Sequence, residues 1–79
     1  MSTVYLYTKN NCKLCEEAEL LLELLQNSYD FQIEKRDIET NGTWFEKYHI
    51  IVPVIKVKDQ ILNCNMIDLE QIENALKNA

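Results

Sequence analysis

At 79 residues the chain lies near the lower limit for folding on its own core, so a single domain over residues 1–79 is expected. A composition 47% hydrophobic and 27% charged argues for a globular protein and against disorder, and one glycine and one proline leave no room for a flexible linker. Thirteen acidic residues against eight basic ones give a net charge of −5, which argues against a nucleic-acid partner, because polyanions need a basic surface.

The first element in chain order is Thr3–Tyr7, rich in β-branched and aromatic residues and read as a strand. No basic region followed by an apolar leader precedes it, and the longest apolar runs are too short to cross a bilayer. A cytoplasmic location without membrane contact is therefore expected. From Leu14 the apolar positions recur at helical spacing, at Leu14, Ala18, Leu21, Leu22 and Leu25, with Glu16, Glu17, Glu19, Glu23 and Gln26 opposite. Asn27–Asp30 breaks this helix with turn-forming residues, and Phe31–Asp37 reads as a second strand. Strand, helix and strand form a βαβ unit, whose strands should be parallel with a right-handed crossover.

Beyond this unit, Thr40–Gly42 is a loop and Thr43-x-x-Glu46 offers a capping box to a short helix carrying Trp44, Phe45 and Tyr48. Pro53 stands before a third strand, Val54–Val57, where a missing backbone donor is tolerated. Lys58–Gln60 is a turn into a brief fourth strand, Ile61–Asn63. A last helix is expected from about Met66, capped by Asn65, with Leu69, Ile72 and Leu76 on its apolar face. The expected order is β-α-β-α-β-β-α, an α/β protein with helices on both faces of a four-stranded mixed sheet.

The stretch around which this order is arranged is Lys9-Asn10-Asn11-Cys12-Lys13-Leu14-Cys15, where the first strand hands over to the first helix. Unpaired amides and the positive end of the helix dipole favour a thiolate there, lowering the thiol pKa below its free value of ~8.5. Lys9 and Lys13 add to that effect, and Glu16 and Glu17 oppose it. Three cysteines are too few, and odd in number, for a secreted disulfide scaffold. A C-x-x-C pair in a reducing compartment is more often redox-active or metal-binding. A zinc site would need about four ligands, for which only Cys12, Cys15, Cys64 and His49 are present in cysteine and histidine. Cys64 reads as a small buried hydrophobe, and His49 as a loop or interface residue.

Tyr7-Thr8-Lys9-x-x-Cys12-x-x-Cys15, Ile51-Val52-Pro53 and the closing hairpin plus helix together resemble the glutaredoxins and glutaredoxin-like proteins of the thioredoxin fold. The resemblance covers nearly the whole chain. It implies a strand order of 2-1-3-4, a cis Pro53, Cys12 as the catalytic attacking thiolate and Cys15 as the resolving thiol. It further implies substrate contacts at Tyr7, Lys9, Leu14, Val52, Pro53 and Asp68, with the backbone of Val52 pairing with the substrate like an added strand. The family's proline after the first cysteine is Lys13 here, its following tyrosine is Leu14, and its Gly-Gly before the last helix falls at Cys64–Asn65. Side chains at that last place narrow the groove where glutathione's backbone would lie. The reading is a monomeric dithiol–disulfide oxidoreductase acting on protein or glutathione mixed disulfides in cell redox homeostasis, with no tightly bound cofactor. Glutathione as co-substrate, or a thioredoxin-reductase-type flavoenzyme, would supply the electrons. An iron–sulfur or metal carrier and a non-catalytic binding domain are the competing readings.

Overall fold

In the computed structural model, which describes residues 2–78, the first strand forms as β1 (Ser2–Thr8) and lies inside the sheet. It pairs in parallel with β2 (Phe31–Asp37), from Ser2 opposite Phe31 to Thr8 opposite Asp37. On its other side it pairs antiparallel with β3 (Val54–Val57), which in turn pairs antiparallel with β4 (Gln60–Leu62). The order β2-β1-β3-β4 is that of a thioredoxin-like fold.

Alternation along β1 divides the interior between two layers, because successive side chains point to opposite faces. Val4 and Leu6, with Ile55 and Val57 of β3, meet Ala18, Leu22 and Leu25 of α1 (Lys13–Leu25) and Ile72 and Ala75 of α3 (Leu69–Lys77). Tyr5 and Tyr7 point the other way, with Val54, toward Trp44 and Tyr48 of α2 (Gly42–Tyr48). Tyr7 lies edge-on to Trp44, ring centroids 5.7 Å apart, and tilted against Tyr48 at 4.5 Å. The i, i+4 aromatic pair of α2 is thus cover for the sheet. The central strands are apolar on both faces because helices cover both.

Four local expectations are corrected. A 3-10 turn over Ile38–Thr40 follows β2, capped by the Asp37 carboxylate. The cap of α2 is Asn41, whose Oδ1 accepts the amides of Thr43 and Trp44, so the Thr43–Glu46 capping box does not form. β4 starts at Gln60, because Lys58 at φ 53° completes the turn within two residues. The last helix starts at Leu69 and its cap is Asp68, since Asn65 is held in a turn by Asn63. With that start, Ile72 and Ala75 face the core while Leu69 is 41% exposed.

Candidate active site

Asn11, at φ 56°, turns the chain after Thr8 and Lys9 into α1; asparagine tolerates this left-handed conformation better than most residues. Cys12 is the N-cap of α1, with extended backbone, and its Sγ accepts the amide of Cys15 at 3.1 Å. The two cysteines are joined in a disulfide, Cα atoms 5.2 Å apart. Cys12 is half-buried and Cys15 is 4% exposed, so an incoming sulfur meets Cys12 first. On reduction the same amide and the helix N-terminus face the Cys12 sulfur, the local field that favours a thiolate.

Two cavities of different chemistry lie along the first turns of α1, one of them bordering the disulfide. One of about 380 Å³, on the β2 side, is lined by Cys12 and Cys15 and by Lys9, Glu16, Glu19 and Asp37. Lys35, bonded to Glu19 at 3.1 Å, closes its far wall. The other, only 70 Å³, is largely apolar, lined by Leu14, Ala18, Leu21, Pro53, Cys64 and Ile67 with Glu17. The peptide Val52–Pro53 is cis.

The structure brings most of the expected site residues to one end of the sheet. Lys9 and Leu14 are exposed, Leu14 at 58%, and Pro53 walls the small groove. Three expectations change. Tyr7 is 3% exposed and buried under the turn, because the alternation of β1 directs it inward against α2, where it packs in one cluster with Cys15. The amide of Val52 already donates to the carbonyl of Tyr48 at 2.9 Å, so a docking strand cannot take that donor without displacing the C-terminal turn of α2. Cys64 is not buried but half-exposed and borders the groove, its amide bonded to the Ile51 carbonyl at 3.1 Å. Asp68 lies at the helix start, its Oδ1 accepting the amide of Gln71 at 2.7 Å. His49 is exposed at the end of α2, stacked on Phe45. Among the described residues, no three His, Cys, Asp or Glu side chains converge as a metal site.

Sequence reasoning missed Arg36. Its guanidinium carbon lies 4.1 Å from the ring centre of Tyr5, 5.0 Å from Trp44 and 5.7 Å from Tyr7. Nε donates to Glu34 at 2.6 Å and Nη1 to the Tyr7 hydroxyl at 3.0 Å. Burial against the rings lowers its pKa, but the bonds to Glu34 and Tyr7 more than reverse this, and the net direction is upward. The sequence signal was an arginine in the edge strand in register with Tyr7, which becomes visible only once the parallel register is known.

A mixed sheet of this order, a disulfide-forming C-x-x-C at a helix N-terminus and a cis proline beside it define a protein of the thioredoxin-like fold. The chain belongs to the glutaredoxin-like domain family (DUF836), whose model matches residues 3–77. Among solved structures it is similar to a Nitrosomonas europaea protein, at 30% identity and TM-score 0.79, over 95% of this chain and 91% of that one. A protein of X. campestris is 21% identical at TM-score 0.76, over 100% of this chain and 96% of that chain. The oxidised form of mitochondrial thioredoxin 3 from Saccharomyces cerevisiae is 16% identical at TM-score 0.66, over 99% and 78%, and shares the fold. Among the described residues, no helix is long and apolar enough to cross a membrane.

Proposed function

We propose that the protein is a dithiol–disulfide oxidoreductase working through the Cys12–Cys15 couple. The observation that carries this is a half-exposed and a buried sulfur, already bonded, at a helix N-terminus beside the Val52–Pro53 loop. In the reduced protein the Cys12 thiolate attacks a substrate disulfide, and one substrate thiolate leaves. Cys15 then loses its proton and attacks the Cys12 sulfur of the mixed disulfide. The second substrate thiolate departs and the Cys12–Cys15 disulfide closes. Exchange of this kind needs access and a thiolate but no separate cofactor. Two electrons from glutathione or from a flavoenzyme reductase return the pair to the dithiol.

A protein disulfide is the favoured substrate. Exposed Leu14 and the narrow apolar groove suit a neighbouring side chain of a polypeptide, and Cys64–Asn65 fill space that a glycine pair would leave open. Docking uses exposed Leu14 and the carbonyl side of Val52, with the buried Pro53 shaping the wall of the groove and Lys9 and Asp68 as the charges that would orient a polar substrate such as glutathione. Cytoplasmic, monomeric action belongs to the same proposal.

The test is a titration in glutathione buffers, quenched with an alkylating agent and read by peptide mass. A Cys12–Cys15 disulfide forming at a defined potential is expected, and Cys15→Ser should trap a mixed disulfide on Cys12. Trapping on Cys64, or both thiols staying free across the range, would overturn the proposal.

A further inference from the structure

We infer that the cavity on the β2 side of the disulfide is a specificity subsite, taking a lysine or arginine side chain that lies beside the cysteine of a polypeptide substrate. The inference rests on reading Cys12–Cys15 as a redox couple acting on protein disulfides, and it concerns which of them are taken. The cation is held without bond making; exchange itself runs between sulfurs as described above.

The cavity follows from strand register. Val4 and Leu6 pack toward α1, and by alternation Thr8 points the same way. Lys35 and Asp37 are the parallel partners of Leu6 and Thr8 and share that face. Glu16 and Glu19 reach the same space from α1, and both cysteines line it. Glu19 is neutralised by Lys35 at 3.1 Å, whereas Glu16 and Asp37 form no ion pair among the described residues. Asn10, also on the wall, donates its amide to Glu39, which adds a carboxylate at the rim. Four carboxylates, of Glu16, Glu19, Asp37 and Glu39, thus stand against the two ammonium groups of Lys9 and Lys35. Exposed Lys13 does not line the cavity.

Thr8 points independently to a ligand. It is 6% exposed, yet its hydroxyl has no hydrogen-bond partner among the described residues, and no unpartnered side-chain oxygen there is sealed from solvent. The hydroxyl therefore opens into the cavity that Thr8 lines, able to accept an N–H from a side chain placed there. The surplus of carboxylates selects a cationic donor over an anion. The net charge of −5 steers cationic substrates toward the protein as a whole. About 380 Å³ leaves room for an arginine side chain next to the Cys12 sulfur.

The test uses the reduced protein, freed of reductant, and synthetic peptides closed by one disulfide, with arginine, glutamine or glutamate beside each cysteine. Oxidation of the protein dithiol is followed in a single turnover, and each second-order rate is divided by that peptide's rate with dithiothreitol. The corrected arginine-to-glutamate ratio should be about tenfold at low salt and shrink at high salt. Glu16→Gln and Asp37→Asn should each lower it about threefold, and Lys9→Gln should raise it by a similar factor. Folding is retained because Glu16 is exposed and asparagine offers the oxygen with which Asp37 caps the 3-10 turn. Thr8→Val should lower the ratio as well, which charge spread over the whole surface would not do. If Thr8→Val does not fold, the three charge variants decide by their signs. A ratio near one in an active wild type overturns the inference and leaves the oxidoreductase proposal standing. A ratio that the variants leave unchanged overturns it too, by placing the preference in overall charge. Failure to reduce any of the peptides would instead overturn the oxidoreductase proposal itself, and the inference with it.

Discussion

Substituting Asp68 separates two jobs for one carboxylate: capping α3, and holding a charged substrate group as the family resemblance implies. As the cap it has extended backbone, φ −146° and ψ 171°, and accepts the Gln71 amide at 2.7 Å. Asp68→Ala removes that acceptor and withdraws a negative charge from the positive end of the helix. Together these cost about 1–2 kcal/mol. In a domain of this size each kcal/mol lowers the melting temperature by roughly 4–8 °C. Asp68→Ser keeps an oxygen able to reach the same amide, so its loss should stay within about 0.5 kcal/mol. Thermal unfolding followed by circular dichroism measures both. Asp68→Ser melting as low as Asp68→Ala would refute the capping argument. A substrate role reads out separately, as Asp68→Ser exchanging glutathione more slowly while melting near the wild-type temperature.

Leu22 is fully buried between α1 and the sheet, and Leu22→Ala should lose about 2–5 kcal/mol through lost transfer energy and a residual cavity. The urea midpoint should fall while the slope stays constant. Asn41→Ala removes the acceptor shared by two amides at the start of α2 and should cost about 1 kcal/mol, measured in the same way. Partial burial and the Glu73 carboxylate raise the pKa of Tyr29 above its ordinary 10.0. Folding then favours the protonated phenol: the contribution is complete below the unfolded pKa and is lost as pH rises through the higher folded value. Wild-type stability should therefore fall more steeply than that of Tyr29→Phe between about pH 9 and about pH 11, read from urea midpoints. Equal slopes would show that Tyr29 contributes no linkage.

The order of elements was legible in the chain because local signals agreed with one another. The β-branched and aromatic run of β1, the 3.6-residue period from Ala18 to Leu25 and the turn residues of Asn27–Asp30 each specify their own element. The cysteine pair was legible as a site for the same reason: a C-x-x-C between strand and helix fixes both sulfurs at a helix N-terminus without further information. Helix starts were less legible. Asn65 and Asp68 are both competent caps, as are Asn41 and Thr43, and the choice between neighbours was made by turns and packing outside the helix.

The sequence by itself determined the type of each element and the position of the dithiol, because these depend on residues close together in the chain. Only the tertiary structure decided which groups surround the dithiol. Tyr7 turned inward because helices cover both sheet faces, the Val52 amide was taken by Tyr48, and Cys64 came to the rim of the groove. The clamp around Arg36 joins residues from β1, β2 and α2, whose proximity depends on strand register and helix placement. Contacts between residues so far apart in sequence leave no local period or motif, because their geometry exists only after the sheet has paired.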